Sequence, residues 1–208
     1  MNWQERLQRG CAALGVDLDA AAQERLLAYL ELLAKWNRVH NLTAVRDPEQ
    51  MVAQHLLDSL AVLPRLAACN SLIDVGSGGG LPGIPLAIAR PQMAVTLLDS
   101  SAKKTAFLRQ AQLELGLDNL VVVCARVEAY QPETPFEVVI SRAFADLSEF
   151  AALAAHLCAP NGVLLAMKGL YPYEEIERLP SEVAMVEVVP LRVPELEAQR
   201  HLAVLKKV

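Results

Sequence analysis

The spacing of apolar residues divides the chain into a helical beginning and an alternating remainder. Leucines recur at the spacing of one helix face after Asp19, a good capping residue, and predict a helix that runs to about Asn37. The tetrapeptide that starts at Asp47 reads Asp-Pro-Glu-Gln, which combines an N-cap, a proline at the first helical position and a glutamine at the capping-box position. It predicts a second helix that ends at Pro64. Residues 1–64 are therefore predicted to form a helical extension.

Strand-like and helical patterns alternate from Ser71 onward. The predicted helices lie near 82–90, 101–115 and 146–158, with Gly116 as a helix end and Pro160-Asn161-Gly162 as a turn. Such alternation indicates a mostly parallel sheet with helices on both faces, in a domain covering 65–208. The last two strands lack a full helix between them and predict an antiparallel hairpin at one edge. The predicted strands are 71–75, 94–98, 120–124, 137–141, 163–168, 183–189 and 201–207.

A glycine-rich loop follows the first predicted strand and can be read in two registers. Residues 78–83 satisfy G-x-G-x-x-G, which is typical of dinucleotide binding, and residues 74–80 satisfy D-x-G-x-G-x-G, the first motif of S-adenosylmethionine-dependent methyltransferases. Asp74 would repel a pyrophosphate but could face the methionine ammonium, and no basic residue occurs from Asp74 to Ala89. Asp99, after the next strand, is predicted to hold ribose hydroxyls. Together with the hairpin, the loop favours the class I, Rossmann-like methyltransferase fold with S-adenosylmethionine as cofactor.

Composition and charge mainly exclude other classes of protein. The four cysteines are far apart and no histidines cluster with them, so no metal site is expected. No apolar stretch approaches the roughly 18 residues of a membrane span, and the polar N-terminus does not resemble a signal peptide, so we expect a cytoplasmic protein that does not enter a membrane. The formal net charge is −5, so any contact with nucleic acid must use a local basic face.

Several motifs along the chain resemble one known family. Asn41-Leu42-Thr43, His55-Leu56-Leu57-Asp58-Ser59, 74–85, Ser141-Arg142-Ala143 and Lys168-Gly169 occur in the order and spacing of the RsmG (GidB) family. The resemblance extends over essentially the whole chain, including the closing Arg200-His201-Leu202. It implies a methyltransferase that acts on N7 of guanine 527 in 16S ribosomal RNA, and whose loss is linked to streptomycin resistance. The alternatives are a methyltransferase for another RNA, a protein or a small molecule, a nicotinamide-dependent oxidoreductase, and a binding module without activity.

The predicted site residues follow from the motifs and from the resemblance. Arg142 and Lys168 are expected to position the reactants, because guanine N7 has a free lone pair and needs no general base. Asn41, His55, Arg142 and Lys168 are the predicted substrate contacts. The competing interpretations are an ion pair with a surface acid for Arg142, a turn or cap for Asn41, a buried hydrogen-bonded histidine for His55 and a solvated lysine for Lys168. The predicted cofactor contacts are Asp74, Gly76, Gly78, Leu81, Asp99, Val127, Glu128 and Arg142.

The RNA must be met by local basic and aromatic side chains. The basic candidates in the extension are Arg38, His40 and Arg46, whereas Lys103, Lys104 and Arg109 are interpreted as a solvated helix face. Phe144 and Tyr171 could stack on unpaired bases, or could belong to the core. Because the chain is small and has no separate RNA-binding module, we expect weak binding to naked RNA and dependence on the small ribosomal subunit or an assembly intermediate that presents the RNA. We also expect a monomer.

Overall fold

The computed structural model describes residues 2–142, 144 and 146–208, so Met1, Ala143 of the Ser-Arg-Ala motif and Ala145 lie outside it. A seven-stranded sheet with the order β3-β2-β1-β4-β5-β7-β6 forms its centre. The first five strands pair in parallel, and β7 runs antiparallel to both β5 and β6. The predicted parallel sheet with an antiparallel C-terminal hairpin is therefore confirmed. The strands are β1 Ser71–Val75, β2 Ala94–Asp99, β3 Leu120–Cys124, β4 Phe136–Ser141, β5 Cys158–Lys168, β6 Val183–Pro190 and β7 His201–Lys207.

Helical elements occupy the part of the chain before β1. Asp19 caps α2, its side chain accepting from the backbone N–H of Ala22, and the helix continues to His40, beyond the predicted end. Asp47 caps α3 by accepting from the N–H of Glu49. The helices are α1 Trp3–Leu14, α2 Ala20–His40, α3 Pro48–Met51, α4 Asp58–Leu60, α5 Gly83–Ala89, α6 Ala102–Leu115, α7 Leu147–Ala154 and α8 Tyr173–Ile176; a π-helical segment Val52–Leu57 joins α3 to α4, and 3₁₀ turns span Leu63–Leu66, Val127–Ala129 and Ala155–Leu157.

The fifth strand differs from its prediction. The segment 160–162, predicted as a turn, lies within β5, and the predicted strand start at 163 was therefore wrong. Phe136 of β4 pairs with Cys158, but Val138 pairs with Val163, so an irregularity absorbs the additional residues. The backbone of Gly162 runs close to β4, because an added Cβ would lie 2.7 Å from the carbonyl oxygen of Glu137.

The extension and the sheet share one apolar core. Buried leucines of α1, α2 and α4 belong to the same cluster as buried side chains of β2 and β7, whereas α7 covers the other face of the sheet. The extension also contacts the glycine loop directly, since the buried Tyr29 hydroxyl donates to the carbonyl oxygen of Gly79 over 2.6 Å. The predicted division at residue 64 stays a prediction. No helix in the described part of the chain is long and apolar enough to cross a membrane.

Candidate active site

The glycine loop is folded against the carboxyl end of β2. Gly76, Gly78 and Gly80 have φ angles of 70°, 57° and 89°, in the left-handed region that favours glycine. The N–H of Gly76 donates to the carbonyl oxygen of Leu98 over 2.8 Å, and the N–H of Gly78 donates to Oδ2 of Asp99 over 2.9 Å. The loop therefore has one defined shape, which is determined by the strand beside it.

Asp74 lies beneath this loop and is fully buried. Its Oδ2 accepts from the N–H of Gly83, the first residue of α5, over 2.9 Å. Its Oδ1 is buried and has no hydrogen-bond partner among the described residues. Loss of solvation raises the pKa of Asp74 to about 7, although the Gly83 hydrogen bond and the charge of Arg142 oppose the rise. This carboxyl group already occupies the first N–H of α5, so the loop is unsuited to a pyrophosphate.

A cavity of about 280 Å³ lies on the β2–β3 side of the loop. The buried Asp99 lines it and is fixed by Gly78 and by the N–H of Ser101, which donates to Oδ1 over 2.9 Å. The predicted positions Val127 and Glu128 line it too, on their 3₁₀ turn. The remaining lining residues are Val75, Gly76, Leu98, Ser100, Lys104, Ala125, Arg126, Phe144 and Leu153.

The charges in this nucleoside-sized cavity are balanced. Nε of Arg126 donates to Oε1 of Glu128 over 2.8 Å, and Nζ of Lys104 lies 3.9 Å from Oδ2 of Asp99. Each basic group is thus beside a carboxylate, and the cavity does not present the excess positive charge that a phosphate-bearing cofactor would require. Balanced charge with apolar walls suits an uncharged nucleoside.

A larger cavity of about 550 Å³ adjoins the first, since Gly76 and Lys104 line both. The extension supplies one of its walls, and the carboxyl ends of the parallel strands supply the other. Six of the residues predicted for the site meet here: Gly76, Gly78, Leu81, His55, Arg142 and Lys168. Asp74 lines neither cavity, so its predicted contact with a cofactor stays a prediction.

Arg142 is fixed against the extension. Its Nη1 donates to the carbonyl oxygen of Gln54 and to Oδ2 of Asp58, each over 3.1 Å. Oδ1 of the same carboxylate accepts from Nε of Arg200 over 3.0 Å. The Asp58 side chain is only 2% exposed, so two guanidinium groups from distant parts of the chain are joined through a buried anion at the cavity wall.

Two other predicted contacts already have partners in the protein. Nζ of Lys168 donates to Oε2 of Glu175 in α8 over 2.8 Å. Nε2 of the buried His55 lies 3.1 Å from the hydroxyl of Thr43, and among the described residues no hydrogen bond joins His55 to Asn41. Burial and the charge of Arg142 lower the pKa of His55 to about 4, so its ring is neutral at pH 7.

The remaining candidates lie outside the larger cavity. Asn41 ends α2 in the left-handed conformation, and it lines a separate hollow that includes Arg38 and Arg46. Phe144 packs against Phe150, with ring centroids 5.4 Å apart. The ring of Tyr171 is partly exposed and lies 4.2 Å from that of Tyr173. Lys103 and Arg109 are exposed on α6. The ring of His40 packs against Trp36.

Comparisons with known proteins identify the family. The family model described as rRNA small subunit methyltransferase G matches residues 22–203. The chain belongs to the rRNA small subunit methyltransferase G family. Members so named include those of Laribacter hongkongensis, 56% identical over 97% of both chains, Chromobacterium violaceum, 58% identical over 94% of both, and Neisseria gonorrhoeae, 54% identical over the whole of both.

Solved structures with low sequence identity share the fold of this methyltransferase G family member. TrmN from Thermus thermophilus has a TM-score of 0.54 at 20% identity and covers 72% of this chain and 48% of its own. The CcbJ methyltransferase from Streptomyces caelestis has a TM-score of 0.59 at 15% identity, covering 73% and 89%. These similarities confirm the class I methyltransferase fold.

Two residues of this methyltransferase G site were not predicted from the sequence as site residues, namely Asp58 and Arg200. The sequence contained a signal for Arg200, because this residue directly precedes β7. β7 runs antiparallel to β5, so β7 begins at the edge of the sheet where β5 ends. The pairing of His201 with Lys168 places Arg200 at that edge. The corresponding signal for Asp58 was the single carboxylate in the mainly apolar segment 51–63.

Proposed function

We propose that this enzyme transfers the methyl group of S-adenosylmethionine to N7 of guanine 527 in 16S ribosomal RNA. The observation that supports this function best is the junction of the two cavities at Gly76, where a charge-balanced space of nucleoside size opens into a larger one beside Arg142. Family membership supports small-subunit ribosomal RNA as the substrate. The nucleotide and the atom come from the RsmG resemblance.

The residues of the smaller cavity fit the proposed cofactor. Asp99 is held by two backbone N–H groups, and its carboxylate can accept additional hydrogen bonds from ribose hydroxyls. Val127 and Glu128 would flank the adenine, and Gly76 would leave room for close approach of the chain to the ligand. When bound, S-adenosylmethionine supplies a methyl group made electrophilic by its sulfonium charge.

The residues of the larger cavity would align the guanine. Its N7 has a free lone pair, so no side chain needs to remove a proton, and the neutral, hydrogen-bonded His55 is consistent with that chemistry. Arg142 can donate to an acceptor on the base edge, and the adjacent Asp58 carboxylate offsets its charge as the ring becomes positive. Lys168, paired with Glu175, would position the RNA at the rim. In this proposal Asn41 contacts RNA outside the cavity.

The alternative is a transfer from the same cofactor to a different RNA, a protein or a small molecule. Labelled S-adenosylmethionine supplied with small subunits from cells that lack the modification, with naked 16S RNA and with ribosomal proteins separates these acceptors. We expect label in the RNA of the subunits, much less in naked RNA, and activity of the monomer fraction. Label confined to protein, or absent from RNA in every presentation, would contradict the proposed function.

A further inference from the structure

The arrangement of Asp58, Arg142 and Arg200 is more elaborate than cofactor binding requires. Each carboxylate oxygen of Asp58 accepts from a different guanidinium group, over 3.1 and 3.0 Å. The carboxylate is nearly inaccessible, whereas the Arg142 and Arg200 side chains are 28% and 25% exposed. All three residues line the larger cavity. The buried carboxylate therefore fixes two arginines that solvent, or a ligand, can still reach.

The hydrogen bonds leave donors available on both arginines. Arg142 uses Nη1 for its contacts with Asp58 and Gln54, and Arg200 uses Nε for Asp58 and Nη1 for the carbonyl oxygen of Gln199. Within the described residues, the Nη2 group of each arginine has no hydrogen-bond partner. Each guanidinium has five N–H donors in a rigid plane, a geometry that suits oxygen anions.

The net charge of the cluster specifies the class of ligand. Two guanidinium groups and one carboxylate leave one positive charge, and the neighbouring Lys168 is neutralised by Glu175. A phosphodiester carries one negative charge and several acceptor oxygens, so it balances the cluster. The lysines that line the described cavity, Lys104 and Lys168, each lie beside a carboxylate of their own.

We propose that Arg142 and Arg200, positioned by Asp58, form a subsite for one backbone phosphodiester of the ribosomal RNA beside the target base. This subsite rests on the proposed methylation of ribosomal RNA. It does not require that the methylated nucleotide be guanine 527. Asp58 is a positioning residue, because it acts through the arginines. Arg200 is the RNA ligand that the proposed reaction does not otherwise use.

Salt dependence provides a specific test of a phosphate contact. Each phosphate contact on single-stranded RNA contributes about 0.7 to the slope of the logarithm of affinity against the logarithm of salt concentration. We expect Arg200→Gln to raise the KM for small subunits about tenfold, to lower that slope by about 0.7, and to leave the kcat and the cofactor affinity unchanged. Arg65→Gln is the matched control, since Arg65 is an exposed arginine that pairs with Glu187 and does not line the cavity.

Asp58→Asn separates positioning from simple charge. Removing a negative charge from an RNA-binding wall should tighten RNA binding by electrostatics alone, whereas loss of the anchor should weaken it. We expect the KM for subunits to rise in a variant that still binds the cofactor with unchanged affinity. In the double variant with Arg200→Gln, the two increases in KM should be less than multiplicative.

The outcomes distinguish this subsite from the proposed function as a whole. Total methyl incorporation into RNA is the readout, so it reports on the subsite whichever nucleotide is modified. A raised KM with an unchanged salt slope in Arg200→Gln would mean a base contact and would overturn the phosphodiester assignment, as would an unchanged KM. A tighter KM in Asp58→Asn would overturn the positioning role. Should Asp58→Asn not fold, Arg200→Gln alone decides.

Discussion

Replacing Asp74 with asparagine should change how the stability of the fold depends on pH. The carboxyl group is completely buried, and only one of its oxygens has a hydrogen-bond partner in the described structure. Burial raises the pKa of this carboxyl group to about 7, from the 3.8 of an aspartate in water. The folded state therefore favours the protonated form. The stabilisation from this group is fully present below pH 3.8 and is lost as the pH rises to about 7.

The expected size of the effect follows from this interval of about three pKa units. Each unit corresponds to about 1.4 kcal/mol, so the fully buried group contributes up to about 4 kcal/mol of pH-dependent stability. Asparagine resembles the protonated acid in shape and cannot titrate. The substitution itself changes stability by some amount at low pH. Relative to that amount, Asp74→Asn should become more stable than the unsubstituted chain by about 4 kcal/mol in the free energy of unfolding between pH 4 and pH 8.

Urea denaturation at a series of pH values measures this difference. Asp19→Asn is the control for removing a carboxylate, because asparagine can also cap α2. A difference for Asp74→Asn that does not vary with pH would mean that the carboxyl is ionised in the fold at pH 4 and above. It would refute the argument from burial. The same experiment with the cofactor added tests the predicted contact between Asp74 and the methionine ammonium, through a pH-dependent gain in stability.

Three further substitutions test the packing of the glycine loop and the role of Asp99 in binding the cofactor. Gly83→Ala should lower the free energy of unfolding by about 1–3 kcal/mol, because an added Cβ would lie 2.2 Å from a Leu97 methyl carbon. Gly169→Ala, with nothing within 4 Å, is its control, and equal melting temperatures would contradict the close packing. Tyr29→Phe should cost about 1–2 kcal/mol in chemical denaturation, since a buried carbonyl loses its donor; no change would show that water replaces the hydroxyl. Asp99→Asn should weaken binding of S-adenosylmethionine about 10- to 100-fold in calorimetry, and unchanged affinity would remove Asp99 from the ribose site.

The sequence predicted those features of the fold that depend on local pattern. The observed ranges of β1, β3 and β7 coincide with the predicted ones, because each is a short apolar run with clear flanking signals. The start of β5 could not be predicted in this way. Its pairing with β4 accommodates Pro160 and Gly162 inside the strand, although both residues are local turn signals.

The site was predictable where one segment carries its chemistry. The loop at 74–83 and Asp99 lie on consecutive strands, and their hydrogen bond over 2.9 Å follows from that arrangement. The link between Asp58, Arg142 and Arg200 joins three segments that only the tertiary structure brings together. Likewise, the pairing of Lys168 with Glu175 depends on the position of α8 and could not be inferred from either residue alone.

The most direct test of the proposed function is the position and the atom of the methyl group. Small subunits that lack the modification are incubated with the enzyme and S-adenosylmethionine, and the 16S RNA is then treated with borohydride and aniline, which cleave the chain at N7-methylguanosine. We expect one new cleavage, at guanine 527, that depends on the enzyme and is reduced in Arg142→Ala. Incorporation of label without cleavage there, or cleavage at another guanine, would contradict the proposal.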